Sequence, residues 1–253
     1  MAVNFDGSTE YYLTGVALTT RDNWTLSSWI NIDALGGAFD MCLYNGEDGG
    51  AGPYNGYGFG VGGDNGGSGS KLIGLFGGIA WKNTSYTFSS TGVWYHVVMT
   101  RRSGTLLFYV NGTSTGFSNT DADNGTPSGS FTIATQDRNS DGNLAWAFNG
   151  KMAEVGAWNR ALSDAEISAL AKGFSPSFFK RELKRYFSLP NENYVIDYAT
   201  GAAVTTAGTP DAFAHPRMFY PNSGFVVPTP SSVAPSTSIK DIIGGFGIIA
   251  FAR

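Results

Sequence analysis

Short runs in which apolar and polar residues alternate, separated by glycine and asparagine, limit the possible folds of this chain most strongly. Within residues 24–32, Trp24, Leu26 and Ile30 share one face, whereas Trp29 lies on the other. A repeat of two residues is the pattern of a β-strand that buries one face. Comparable runs occur at 57–61, 93–101, 105–110, 131–135 and 151–158. The sequence therefore predicts an all-β sandwich.

The composition agrees with this class, because only 14% of the 253 residues are charged and 35 are glycine. An average domain carries about 25% charged residues. The composition excludes a coiled coil or helical bundle, and the net charge of -4 argues against nucleic-acid binding. The sequence also lacks the roughly 18 consecutive apolar residues of a transmembrane helix, so we expect no membrane span.

One helix is predicted within the first 172 residues, over 164–172. Ser163 and Glu166 have the spacing of a capping box, in which each side chain accepts a hydrogen bond from the other residue's backbone. Gly173 follows the last periodic residue and suits the left-handed conformation that often ends a helix.

The composition changes after Gly173, where eight of the ten prolines lie. We therefore predict a sandwich domain over 1–172, a mostly irregular extension over 173–225 packed on the sandwich or on a neighbour, and a Pro/Ser-rich linker with an apolar arm over 226–253. The basic stretch 180–185, flanked by aromatic residues, predicts a surface helix.

The apolar arm is predicted to mediate assembly. Fully burying each large side chain contributes about 1.5–3 kcal/mol, against ordering costs of about 1–2 kcal/mol per residue. A groove or sheet edge on a neighbouring subunit would favour docking of the arm, and the alternative is that it packs on its own sandwich. The arm residues are Ile239, Ile242, Ile243, Phe246, Ile248, Ile249 and Phe251.

Several stretches carry a resemblance to a known family. They are 4–8 (Asn-Phe-Asp-Gly-Ser), 24–29, 92–98 (Gly-Val-Trp-Tyr-His-Val-Val), 107–112 and 148–167. Their order and spacing resemble the concanavalin A-like lectin/glucanase superfamily, in its laminin-G-like, pentraxin-related branch, over about 1–172. The resemblance implies a two-sheet antiparallel jelly roll that binds carbohydrate or protein, often with calcium.

Residues 171–176 and 215–217 are similar to a C-terminal extension found on such domains in tailed-phage structural proteins. The N-terminus lacks the pattern of a signal peptide, and the single Cys42 allows no intrachain disulfide. We therefore expect a virion structural protein (capsid decoration, fibre or tail component), assembled in the host cytoplasm. Its expected partners are other virion proteins, copies of itself and host-surface glycans. The alternatives are a free carbohydrate-binding lectin and a glycan hydrolase.

The spacing of the carboxylates along the sequence disfavours the hydrolase alternative. Glucanases of this superfamily carry Glu-x-Asp-x-x-Glu on one strand, which places alternate carboxylates in the cleft. That spacing is absent here, and Glu154 is the lone carboxylate of its run. The expectation is therefore a protein that is not an enzyme and requires no cofactor.

A calcium site is the best metal candidate, at Asp137, Asn139 and Asp141. Oxygen-bearing side chains at alternate positions, followed by Gly142, match the start of a calcium-binding loop. Phe148 stands where such a loop has its bidentate glutamate, and an Asx-rich hairpin loop is the alternative. The family commonly has aspartate where this chain has Ala153, which weakens any calcium site that depends on it.

Aromatic residues beside the glycine-rich loops are the candidate sugar-stacking side chains. They are Tyr54, Tyr57, Trp81 and Tyr86. The alternative is that they pack in the sandwich core, as most tryptophans and tyrosines of such folds do. His96 lies in an apolar run and is predicted to be a structural histidine.

Overall fold

The computed structural model describes residues 2–47, 55–76, 80–121, 125–137, 144–189 and 195–221. Its helix α1 spans Asp164–Ala171, and single 3-10 turns lie at Asp64–Gly66 and Pro176–Phe178. The strands are β1 Ala2–Asp6, β2 Tyr11–Leu13, β3 Trp24–Ile32, β4 Asp40–Asn45, β5 Tyr57–Gly62, β6 Lys71–Phe76, β7 Ala80–Thr87, β8 Trp94–Arg102, β9 Thr105–Val110, β10 Thr113–Asn119, β11 Phe131–Ile133, β12 Gln136–Asp137, β13 Leu144–Ala145, β14 Asn149–Trp158, β15 Leu183–Phe187, β16 Thr205–Ala207 and β17 Asp211–Phe213.

Two antiparallel sheets form a sandwich. Sheet A has the order β10-β9-β8-β3-β14-β1-β17, and β15 also pairs with β14. Sheet B has the order β16-β2-β11-β4-β5-β6-β7, and β12 and β13 form a separate hairpin. This architecture confirms the predicted all-β jelly-roll sandwich with one short helix. No helix in the described ranges is long and apolar enough to cross a membrane.

The core lies between the two sheets, where the alternating residues meet. Trp24, Leu26 and Ile30 of β3 are fully buried there, whereas Trp29 lies on the opposite face and is partly exposed. The ring of Trp24 stacks on that of Tyr57 from sheet B, with centroids 3.8 Å apart and an interplanar angle of 9°. The alternation in the sequence therefore reports which side of each strand faces the other sheet.

Helix α1 covers the outer face of sheet A. Both hydrogen bonds of the predicted capping box between Ser163 and Glu166 are present. Gly173 has a φ of 93° and ends the helix with bonds from Gly173 N–H to the Leu170 carbonyl and from Phe174 N–H to the Ala169 carbonyl. The apolar side of α1 packs with Val98, Tyr109 and Trp158 of the sheet. Helix α1 thus covers one outer face of the sandwich, and the outer face of sheet B lies on the other side.

The predicted surface helix over 180–185 is wrong, because residues 181–182 form a turn and β15 begins at Leu183 and pairs with β14. Strand β1 pairs with β14 at residues 149–152, and β15 continues along β14 from Val155 to Trp158. The backbone groups of this part of β14 need hydrogen-bond partners once β1 has ended, and β15 supplies them. The extension also adds β16 to sheet B and β17 to sheet A.

Glu154 joins the extension to the sandwich. The register between β14 and β3 shifts at this point, and Glu154 adopts a left-handed φ of 53° with only 1% of its surface exposed. Its carboxylate accepts hydrogen bonds from the hydroxyls of Tyr186 at 2.9 Å and Tyr220 at 2.8 Å. His215 Nε2 lies 3.2 Å from the same carboxylate. Burial and the charge of Glu154 raise the pKa of both tyrosine hydroxyls, so they remain donors.

Candidate functional site

One face of β5 consists of glycine. Tyr57, Phe59 and Val61 point into the core, and the alternate positions are Gly58, Gly60 and Gly62. A Cβ at Gly60 would overlap the carbonyl oxygen of Asp40 and approach the Phe39 ring to 2.8 Å. A Cβ at Gly58 would overlap the carbonyl oxygen of Leu43. The absence of side chains thus lets aromatic rings lie directly on the strand.

Three aromatic side chains form a cluster on this outer face of sheet B, hereafter the aromatic patch. The ring centroids of Phe39, Trp81 and Trp146 are separated by 5.0 Å (Phe39–Trp81), 5.5 Å (Phe39–Trp146) and 5.4 Å (Trp81–Trp146). Phe39 is buried, whereas both tryptophans are partly exposed. The underlying layer contains Ile73 and Leu75 of β6. The patch therefore offers two indole rings on a rigid apolar base.

A cavity of about 340 Å³ adjoins the aromatic patch. Phe39 and Trp146 line it, together with the polar residues Asp40, Tyr11 and Ser8. Burial raises the pKa of Asp40 to about 6, although a hydrogen bond from the backbone N–H of Asn149 opposes this effect. The cavity thus combines the partly exposed ring of Trp146, above the buried Phe39, with a carboxylate that changes charge in a mildly acidic range.

The predicted sugar-stacking residues do not come together in one place. Trp81 belongs to the aromatic patch, but the expected exposure of Tyr57 is wrong because its ring is 2% exposed and stacks on Trp24. Tyr86 packs against the core and makes an edge contact with Phe88 at 5.2 Å. Tyr54 lies outside the described residues.

Phe39, Asp40 and Trp146 were not predicted from the sequence. A usable signal was present, because glycine occupies every second position from Gly56 to Gly62 while the residues between are apolar. A strand with glycine along one face is typical of close approach by rings, another backbone or a ligand. The alternation therefore marks the outer face of β5, where the patch lies.

The predicted calcium ligands lie largely outside the described part of the chain. Asp137 ends β12, and the side chains of Asp137, Asn139 and Asp141 are not among the described ones. Strand β13 follows and leads directly to Trp146. The described residues contain no cluster of three His, Cys, Asp or Glu side chains that could hold a metal ion. Calcium binding at this hairpin stays a prediction.

His96 has the environment of a structural histidine. It is 1% exposed, and its Nε2 lies 2.9 Å from the hydroxyl oxygen of Ser27. Burial lowers the pKa of His96 to about 3, so the ring is neutral near pH 7.

The sequence matches the model of the concanavalin A-like lectin/glucanases superfamily over residues 5–168. The chain belongs to this superfamily. The predicted laminin-G-like resemblance is therefore confirmed for the sandwich. No curated protein is similar enough in sequence to match the chain.

Three solved structures illustrate the similarity of this superfamily member to other proteins. A candidate carbohydrate-binding protein from Bacteroides ovatus has a TM-score of 0.56 and 19% identity, covering 83% of this chain and 61% of that one. A heptameric SAP-like pentraxin from Limulus polyphemus has a TM-score of 0.53 and 14% identity, covering 81% and 94%. Domain 4 of an arabinanase from Geobacillus stearothermophilus, solved with arabinotriose, has a TM-score of 0.49 and 20% identity, covering 63% and 71%. The first two similarities, with TM-scores above 0.5, concern the fold alone.

Proposed function

We propose that the chain binds glycans through the aromatic patch on the outer face of sheet B. The observation that carries the proposal is the pair of partly exposed indole rings, Trp81 and Trp146, with centroids 5.4 Å apart beside a polar cavity. The C–H faces of sugar rings pack on aromatic rings, while a few polar groups fix their orientation. Membership of a lectin-containing superfamily supports the same function.

Binding without hydrolysis is part of this proposal. Most glycoside hydrolases need two carboxyl groups, which lie about 5–9.5 Å apart across the scissile bond. Asp40 is the one carboxylate among the described residues that line the cavity. Glu154 is buried and bonded to Tyr186 and Tyr220, away from the patch.

Alanine variants of the two tryptophans test the proposed site. A glycan array would first select a ligand for the full chain, and titration calorimetry would then measure its affinity. We expect Trp81→Ala and Trp146→Ala each to weaken binding roughly 30-fold, the effect of removing an aromatic hot-spot residue of about 2 kcal/mol. Tyr198→Ala is the control, because Tyr198 is 53% exposed and lies in the extension. Weaker binding by the Tyr198 variant alone would contradict the proposed site.

We also propose that the chain serves as a structural component of a tailed-phage virion, with the glycan-binding face displayed. The extension supports an assembly role because it exposes apolar rings: Phe174 and Phe178 are 37% and 41% exposed, with centroids 5.3 Å apart. Exposed apolar patches often mark interaction sites. The predicted arm residues 239–253 lie outside the described ranges. A free lectin is the alternative.

Deletion of residues 239–253 tests the assembly role. We expect the full chain to form oligomers and the shortened chain to be a folded monomer, as measured by light scattering and circular dichroism. Removal of an arm that docks on a neighbour leaves the sandwich core intact. A shortened chain that fails to fold, or that forms the same oligomers, would argue against an assembly arm.

A further inference from the structure

We infer that the cavity beside the aromatic patch holds one neutral sugar residue at the end of a glycan, with the Asp40 carboxylate accepting hydrogen bonds from its hydroxyls. This inference rests on the proposed function and adds a ligand class to it. Sugars whose terminal residue carries a carboxylate are excluded from the cavity.

The size and walls of the cavity support recognition of a chain end. Its volume of about 340 Å³ is near the lower limit of ligand pockets, which span about 300–1,000 Å³. Phe39 and Trp146 belong to both the cavity and the aromatic patch. A single sugar ring therefore fits in the cavity, and the following residues of a glycan would extend across the patch towards Trp81.

The polar groups of the cavity support a neutral ligand. The Asp40 carboxylate accepts a hydrogen bond from the backbone of Asn149, and an ionised carboxylate has about four acceptor positions. Sugar hydroxyls can donate to the remaining positions. The described lining residues include no lysine or arginine that would neutralise a second carboxylate. An acidic sugar would therefore bring a like charge beside Asp40 without compensation.

Among the described lining residues, Asp40 is the group whose pKa is raised to about 6. Glu10, between the lining residues Ser8 and Tyr11, also has a raised pKa, because of burial and the charges of Asp6 and Asp211. Tyr11 lines the cavity from β2, and Cys42 lies two residues along β4 with its pKa raised by burial. Asp6 precedes the turn that contributes Ser8. Despite some burial, hydrogen bonds from Thr9, Ser8 and Glu10 lower the pKa of Asp6 to about 2. Asp6 is therefore already ionised in this range, and Cys42 remains protonated.

The affinity for a neutral glycan is expected to depend on pH through Asp40. The ionised carboxylate is the acceptor, so binding is strongest above its pKa of about 6 and weakens as the pH falls. Affinity falls tenfold per pH unit once most of the group is protonated, which predicts a loss of about tenfold between about pH 8 and about pH 5. Asp40→Asn should weaken binding about tenfold at the higher pH and flatten the profile.

Thermal stability separates ligand recognition from a structural role. The raised pKa of Asp40 means that the folded protein loses stability as the pH rises through that value. Asp40→Asn should therefore raise the melting temperature at about pH 8 while it weakens glycan binding. If Asp40 had only a structural role, Asp40→Asn would lower both the melting temperature and the glycan affinity. Asp211→Asn, at an exposed position on β17, is the control for binding. It removes a like charge near Glu10 and should leave glycan affinity unchanged.

The test uses the full chain, a neutral oligosaccharide selected on the array, and the same oligosaccharide with its terminal residue oxidised to a uronic acid. We expect tight binding of the neutral probe and at least tenfold weaker binding of the oxidised one. If the tryptophan variants lose binding but Asp40→Asn keeps the wild-type affinity and pH profile, the inference is wrong and the proposed function stands. Equal binding of the neutral and the oxidised probe would also overturn the inference. If no array glycan binds, the proposed function itself fails.

Discussion

Replacing Glu154 by alanine is expected to lower the free energy of unfolding by about 3–5 kcal/mol, the range for breaking a buried charged network. The carboxylate is 1% exposed and accepts hydrogen bonds from the hydroxyls of Tyr186 and Tyr220. Its removal leaves the hydroxyls of buried Tyr186 and partly buried Tyr220 without this acceptor and opens a cavity where the extension meets β14. Urea unfolding of the full chain, followed by tryptophan fluorescence, would measure the change.

Glu182→Ala provides a closely matched control for this variant. Glu182 also has a left-handed φ, 57° against 53° for Glu154, so both substitutions alter the same backbone conformation. Its side chain is 49% exposed and pairs with Lys184 at the surface. We expect a change of at most about 1 kcal/mol for this exposed pair. Similar losses in the two variants would show that Glu154 does not anchor the extension.

Gly60→Ala is expected to destabilise the fold by about 3 kcal/mol or more, at the upper end of overpacking effects. The added Cβ would overlap the carbonyl oxygen of Asp40 and press against the ring of Phe39. Strand β4 would have to move away from β5, and Phe39 would have to leave its place beneath the two tryptophans. We therefore expect the variant to lose glycan binding as well as stability.

Gly37→Ala is the control for the glycine substitution. An added Cβ at Gly37 meets no atom within 4 Å, and its backbone φ is not in the left-handed region. This variant should unfold within about 0.5 kcal/mol of the wild type, as most exposed substitutions do. A Gly60→Ala protein with wild-type stability would show that packing of the aromatic patch does not require the absence of side chains on the outer face of β5.

The sequence predicted the elements that depend on local pattern. The alternation in β3 and the capping box of Ser163 and Glu166 each act within a few residues, and the structure confirms both. The helix predicted over 180–185 is wrong because the conformation of this stretch depends on a strand that is distant in the sequence. The backbone of β14 needs hydrogen-bond partners after the end of its pairing with β1. Strand β15 supplies them, so this stretch is a strand and not a helix.

The candidate site could be predicted only in part. Trp81 was found from its position beside a glycine-rich loop, but the same reasoning selected Tyr57, which faces the core. Trp146 reaches the patch through a left-handed backbone conformation, with a φ of 55°. Neither its conformation nor the approach of Phe39 across the glycines of β5 has a local signature, because both arise from packing between strands.

A crystal structure of the chain with an array-selected neutral oligosaccharide would show directly where the sugar binds. We expect a sugar ring against Trp81 or Trp146, with the terminal residue in the adjoining cavity and a hydroxyl within hydrogen-bonding distance of Asp40. A second cavity, of about 650 Å³, is lined by Tyr186, Tyr198 and Tyr220 on the extension. Sugar bound there, with the aromatic patch empty, would show that the patch is not the glycan-binding site.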